Sequence, residues 1–355
     1  MFGRSRRLTP VVAALLALTA VLAGCSRVDR NTTAATGATD QGPATEVRLG
    51  YFPNMTHAPA IIGVDKGYYQ AQLGSTTLTT QTFNSGTDEA NALLGGSLDI
   101  GFIGSGPAIN AFTKSEGKIQ VISGAVSGGA ELVVEPGIST PDQLKGKTIA
   151  TPSLGNTQDV SLKKWLAGNK LTGQVNVANM DNPVTFNAFR TGSVDGGWLP
   201  EPWASQLVLD AGAKVLVDEK SLWPQGLFPT TVVVVRTQFL QQHPETVQAV
   251  LKGTIAAIDW ASANRSAAEA AVNDGIQKLT HQTLSQAVLD RAFDEITLSA
   301  DPDSKTFPQL AQDSVTAGVV KTAANLKGFL DLRPLNAVLS QQHKPTIDAA
   351  GLESQ

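Results

Sequence analysis

Asn91-Ala-Leu-Leu-Gly-Gly-Ser-Leu-Asp-Ile-Gly-Phe-Ile103 aligns without gaps, at an offset of 96, with Asn187-Ala-Phe-Arg-Thr-Gly-Ser-Val-Asp-Gly-Gly-Trp-Leu199. Asn, Ala, Gly, Ser, Asp and Gly coincide. Each copy reads as a helix ended by glycine (Gly96 or Gly192), a tight turn and a short strand with Asp near its start. A unit that occurs twice points to two similar lobes. Around the first copy the pattern alternates: strand 46–51, a helix from Ala58 that stops at Gly67, an extended run 77–83, a helix after Ser85-Gly-Thr-Asp88, strand 99–103, a helix from Pro107 and strand 119–123. Around the second it resumes after the capped turn Thr140-Pro-Asp-Gln143, with strands 148–151, 175–178 and 194–198 and helices 159–167, 185–190 and 201–210. Such alternation implies largely parallel sheets covered by helices. The run Thr230-Thr-Val-Val-Val-Val235 is too β-branched for a helix, and amphipathic helical patterns follow it.

The composition suits this reading. With 355 residues, 42% hydrophobic and 16% charged, the chain can fill two or three globular units and is neither disordered, collagen-like nor coiled-coil. At the start, Arg4-Ser-Arg-Arg7 precedes a 12-residue apolar stretch, 11–22, shorter than the ~20 residues of a membrane span, so 1–24 reads as a secretory signal. Leu22-Ala-Gly-Cys25 then resembles the bacterial lipobox, in which the cysteine thiol receives lipid; whether export is Sec or twin-arginine stays open. Residues 25–45 hold no aromatic side chain and read as a lipidated Cys25 followed by a flexible tether. Without the leader's three arginines, 24 basic residues face 31 acidic ones, a net charge of −7 that argues against a nucleic-acid-binding surface. A single cysteine excludes an internal disulfide and a cysteine-rich metal site.

Local catalytic motifs do not occur: there is no G-x-S-x-G, no G-x-x-x-x-G-K-[ST] and no H-E-x-x-H, and the four histidines are scattered. The reading is of a non-enzyme with no metal and no cofactor. Polar loops instead gather at the C-terminal ends of the expected strands, where open α/β sheets place ligands. They carry Asn54, Thr56 and His57; Ser105; Ser127; Gly155, Asn156 and Thr157; and Trp198 with Glu201. The loop 153–159 suits an anion, because the first amides of the helix it opens lack intrahelical partners and sit at the positive end of the helix dipole. Helix capping alone would account for Asn156, and a buried core position for one tryptophan of Trp198-Leu-Pro-Glu201-Pro-Trp203.

Taken in order, Leu49-Gly-Tyr-Phe-Pro-Asn-Met-Thr-His-Ala58, Asp65-Lys-Gly-Tyr-Tyr69, Asp142-Gln-Leu-Lys-Gly-Lys147, Leu154-Gly-Asn-Thr-Gln-Asp159 and Asp195-Gly-Gly-Trp-Leu-Pro-Glu-Pro-Trp203 resemble the solute-binding lipoproteins of nitrate/sulfonate/taurine-type ABC transporters. The resemblance implies a type II periplasmic-binding-protein fold: two α/β lobes joined by two crossover strands, here matching 131–135 and 230–235. Lobe one would then be 46–132 with 231–355, and lobe two 133–230. It also implies a small-molecule solute enclosed by the ten residues named above, delivery to a permease and ATPase complex, and a monomer anchored outside the cytoplasm through Cys25. An aliphatic sulfonate leads as ligand; taurine, nitrate and a pyrimidine-type thiamine precursor remain alternatives, as does a lipid-anchored enzyme on the same scaffold. A buried Glu201 would repel a sulfonate unless the ligand also carried a cation or a hydrogen-bond donor.

Overall fold

A computed structural model describes residues 39–354; the leader, Cys25 and the start of the tether lie outside them. The first run of chain comprises β1 (Glu46–Tyr51), α1 (Ala58–Asp65), α2 (Tyr68–Leu73), β2 (Thr77–Thr82), α3 (Gly86–Leu94), β3 (Ile100–Gly104), α4 (Ser105–Lys114) and β4 (Ile119–Gly128). The second comprises β5 (Ala130–Val134), β6 (Thr148–Thr151), α5 (Thr157–Gly168), β7 (Asn176–Asn179), α6 (Asn182–Arg190), β8 (Gly196–Pro200), α7 (Trp203–Ala211) and β9 (Lys214–Asp218). Then come β10 (Pro229–Arg236), α8 (Thr237–Gln242), α9 (Pro244–Ala263), α10 (Arg265–Thr280), α11 (Gln286–Glu295), β11 (Ile296–Leu298), α12 (Phe307–Thr316) and α13 (Arg333–Gln341).

Two sheets result, ordered β11-β4-β10-β3-β1-β2 and β7-β6-β8-β5-β9. The parallel triplets β2-β1-β3 and β7-β6-β8 correspond, and each is continued by one antiparallel strand, β10 beside β3 and β5 beside β8. Both sheets are therefore mixed rather than largely parallel. The reason is the route of the chain. A strand arriving directly from the other lobe enters at the end of the sheet that faces that lobe, and so runs against strands that finish there. The passage into the second sheet is the pair Gly128-Gly129, both in the left-handed region (φ 75° and 76°), where a side chain would be strained. All of β5 belongs to the second sheet, and β10 to the first from Pro229 onward.

The repeated sequence unit has a definite structural job. Asp99 donates its N–H to the Arg48 carbonyl (3.0 Å) and accepts the Arg48 N–H on Oδ2 (3.0 Å); Asp195 does the same with Thr148 (2.8 and 2.7 Å). The next residues open the parallel pairing, Leu49 with Ile100 and Ile149 with Gly196. Each aspartate thus fixes the register of the central strand pair one step before the ladder starts. Asp99 also holds Arg48 and Arg236, each at 2.7 Å, and Asp195 holds Lys147 at 3.0 Å.

Packing follows from alternation along the strands. Val232 to Val235 of β10 are fully buried, as a strand covered on both faces requires. In β8, Trp198 enters a core with Leu132, Ile149 and Leu162, while its neighbour Leu199 joins Val133 and Leu207 on the opposite face. Three strands exceed the sequence reading: β4 continues from the expected end near 123 to Gly128, and β9 and β11 are short edge strands whose pairing is set by distant residues.

Candidate functional site

The strands β1, β3, β6 and β8 end at one cleft between the lobes, and the helices that follow start there. Gly104 closes β3 and α4 begins at Ser105; on the other side Asn156 caps α5, its Oδ1 accepting the Gln158 N–H at 2.9 Å. The two helix starts meet: the Gly106 N–H donates to Thr157 Oγ1 at 3.2 Å. Their approach needs the glycines, since a Cβ on Gly104 would lie 2.5 Å from Thr157 Oγ1. Ser105, the first residue of α4, is fully buried with an Oγ that has no hydrogen-bond partner, and it is not among the residues that line the cavity.

From the first lobe come Asn54, Thr56 and His57, all buried. His57 Nδ1 accepts the Phe52 N–H at 3.2 Å, and the ring stacks on Phe52 with centroids 4.5 Å apart. Burial pushes the imidazole down to about 3, so the ring is neutral, carries its proton on Nε2 and acts as a donor rather than a cation. Thr56 N–H reaches across to the Glu201 carbonyl at 3.4 Å, and Asn54 Oδ1 accepts Trp203 Nε1–H at 2.9 Å. With the Asn110 amide on the Gly155 carbonyl (3.3 Å), these bonds hold the lobes together. The cavity they enclose is about 20 Å³, room for about one water. Asn54, Thr56, His57, Asn156 and Thr157 line it, joined by Gln158, Asn182, Thr230 and Thr231. None of its lining residues is Lys or Arg.

Behind the cleft lies a buried ionic cluster. Arg291, from α11, donates to both oxygens of Glu131 (2.9 and 2.7 Å), to Glu201 Oε1 (3.1 Å) and to Ser205 Oγ (2.8 Å). Glu201 Oε2 accepts the Ser205 N–H at 3.1 Å. Burial, with Glu131 nearby, pushes the Glu201 carboxyl up to about 8, and burial pushes Glu131 up to about 7 against the pull of Arg291. One proton between the two acids leaves the cluster neutral.

A family model described as the NMT1-like family matches residues 40–273. The chain belongs to the NMT1-like family. Among curated proteins it is 32% identical to a taurine-binding periplasmic protein of Escherichia coli over 219 residues, 61% of this chain and 66% of that one. It is 26% identical to a putative aliphatic sulfonates-binding protein of Bacillus subtilis over 254 residues, 69% of this chain and 72% of that one. Among solved structures, the alkanesulfonate-binding protein SsuA of Xanthomonas axonopodis, bound to MOPS, superposes with a TM-score of 0.68 at 20% identity, covering 79% of this chain and 96% of the other. The bilobal periplasmic-binding fold expected from the sequence is the fold of this NMT1-like chain.

Five expected contacts of the NMT1-like chain are absent from the cavity lining, the first being Ser105, whose side chain is enclosed at the start of α4. Trp198 is fully enclosed in the second lobe's core, its Nε1–H donating to Glu219 Oε2 at 3.0 Å and its ring edge-on to Trp165, because β8 runs through it and turns it inward. Ser127 is spent within the protein: its Oγ donates to Asp303 at 2.7 Å and accepts the Phe228 N–H at 3.1 Å. Gly155 gives its N–H to Asp159 (2.9 Å) and its carbonyl to Asn110, and lines a neighbouring groove instead. The Glu201 side chain faces Arg291, so only its carbonyl reaches the cleft edge. Gln158, Asn182, Thr230 and Thr231 line the cavity without being among the ten expected residues, and Arg291 stands behind it; Asn182 and Arg291 show why. Asn182 opens α6, which the sequence pattern starts three residues later, and Arg291 is separated by 90 residues from Glu201 and by 160 from Glu131. The Asp181-Asn-Pro start after a strand was a usable signal for the first; none existed for the second.

Proposed function

We propose that this protein is the extracytoplasmic substrate-binding component of an ABC importer, capturing an aliphatic sulfonate between its lobes and presenting it to a permease and ATPase complex. The supporting observation is the pair of helix starts, of α4 and α5, that meet across the cleft where the Gly106 N–H donates to Thr157 Oγ1. Amides and hydroxyls arriving from two directions suit a tetrahedral head with three equivalent oxygens, and helix dipoles supply the positive potential that no lysine or arginine lining the cavity provides. The repulsion expected from Glu201 is absent from this arrangement, because Arg291 and a retained proton neutralise it. The names of the taurine- and sulfonate-binding relatives point the same way. Anchoring through Cys25 and a monomeric state complete the reading, with the lobe boundaries moved from 132 and 230 to the Gly128-Gly129 passage and to Pro229.

Capture requires the lobes to part, since about 20 Å³ admits no solute. Closure would exchange the Gly106–Thr157 bond for bonds to the sulfonate oxygens. A hydrogen bond to a charged group is worth about 1.5–3 kcal/mol, roughly ten- to hundredfold in affinity. Calorimetric titration with ethanesulfonate should therefore show Thr157→Ala weakened by that factor. Unchanged affinity in Thr157→Ala, or a wild-type preference for an uncharged pyrimidine over every sulfonate, overturns the reading.

A further inference from the structure

Helix α5 divides its surface between the two lobes. Leu162 and Leu166 enter the second lobe's core, while the face that carries Thr157 and Lys164 is turned to the first lobe. These two positions are seven residues apart, so they stand on one side of the helix about 10 Å from each other. At the first, Thr157 Oγ1 accepts the Gly106 N–H at 3.2 Å. At the second, Lys164 Nζ lies 3.4 Å from Asp313 Oδ2 on α12, a helix that packs against both α4 and α5. One rigid element therefore meets the first lobe twice, at the cleft and two turns beyond it.

Lys164 and Asp313 are unequal partners. Asp313 is only 4% exposed, and besides Lys164 it is met by Gln309 of its own helix, whose Nε2 donates to Oδ1 at 2.8 Å. The Lys164 side chain is 32% exposed, and its ammonium also lies over the Trp223 ring, 5.3 Å from the centroid. A buried carboxylate of one lobe thus takes its cation from the other. Parting of the lobes carries that ammonium away, so the pair favours the closed form alone, where an unpaired buried carboxylate would be costly. Lys164 does not line the cleft cavity. Resting on the capture reading above, we propose that Lys164 is a positioning residue that latches lobe closure, holding the start of α5 over the solute by tying the same helix to Asp313. Affinity for a solute then includes the strength of a contact that the solute never touches.

Three variants of the full-length protein test the latch. Lys164→Met keeps the apolar stem and removes the charge, Lys164→Arg keeps the charge, and Lys164→Met combined with Asp313→Asn removes both charges. In calorimetry with ethanesulfonate, Lys164→Met should bind about fivefold more weakly than wild type, the size expected of an ion pair with one partly exposed member, and Lys164→Arg within about twofold. The double variant should recover most of the loss, because its closed form holds no unpaired carboxylate. Equal affinities of wild type and Lys164→Met overturn the latch; a loss that the double variant retains in full assigns the effect to stem packing and also overturns it. Small-angle scattering reads closure without any solute: unliganded Lys164→Met should have a larger radius of gyration than unliganded wild type, and equal radii overturn the latch. If ethanesulfonate does not bind the wild type, anion capture fails and the radii alone decide the latch.

Discussion

Arg291 is the residue whose loss should be felt most strongly, and its effect should depend on pH in a direction that the cluster dictates. Its guanidinium makes four hydrogen bonds at 2.7–3.1 Å to Glu131, Glu201 and Ser205, all of which are buried. Arg291→Met keeps much of the apolar stem and removes the charge. Both carboxyls already have folded values raised above the unfolded one, to about 7 and about 8, with burial as the leading cause. For an acid whose folded value is raised, the native state holds a proton that the unfolded chain releases. Stability from this source is complete at the acid end and falls as pH climbs through about 4.5 to 8. Arg291 limits that fall by favouring the ionised forms. Without it the carboxyls keep their protons to still higher pH, and the fall steepens.

The magnitude follows from which forms are present. At pH 5 both acids are largely protonated in either protein, and the variant loses hydrogen bonds to neutral acceptors, about 1–2 kcal/mol net. At pH 8.5 the wild type pairs carboxylates with the guanidinium, while the variant must either bury unpaired charge or retain protons against the solution. Removing one partner of a buried pair costs about 3–5 kcal/mol. At roughly 2–3 °C per kcal/mol for a chain of this size, Arg291→Met should lower Tm by about 3 °C at pH 5 and by about 10 °C at pH 8.5. Differential scanning calorimetry at the two pH values reads this directly. Equal losses at both, or a variant as stable as wild type at pH 8.5, would refute the electrostatic account of the cluster.

Two further outcomes are expected. Glu89 lies fully buried in the first lobe with neither carboxyl oxygen partnered, and burial raises it well above its usual value. Stability should therefore fall with rising pH by up to about 1.4 kcal/mol per unit above about pH 4.5, and Glu89→Met should flatten that slope in urea titrations; a slope unchanged by the substitution rejects the assignment. Cys25→Ser should shift the protein from the membrane fraction to the soluble one after cell fractionation, and a variant that stays membrane-bound rejects the anchor.

How much of this was legible in the sequence depends on the range of the interactions concerned. The repeat at Asn91 and Asn187 was readable because helix stop, turn and strand start are encoded within a few residues, and the same local encoding exposed the loops around His57, Ser105 and Thr157. Trp198 was misplaced for the opposite reason. Its neighbours Leu199, Pro200 and Pro202 read as a loop, yet β8 extends through Pro200, and the indole's partner Glu219 comes from a segment 21 residues away. Ser127 shows the same limit, since its hydroxyl is taken by Asp303, 176 residues on.

The same division of range explains why the binding surface and the structure that supports it were unequally visible. Groups that meet a solute sit at strand ends and helix starts, where short-range turn and capping preferences leave a trace in sequence. Groups that neutralise and hold those loops come from wherever the chain returns. Arg291 reaches Glu201 from α11, and Trp203 reaches Asn54 across 149 residues. The consequence reaches ligand choice itself. Glu201 read alone argued for a cationic partner on the solute, but once Arg291 and Glu131 are placed beside it the charge is balanced within the protein. An ammonium on the ligand is thus not required to offset Glu201.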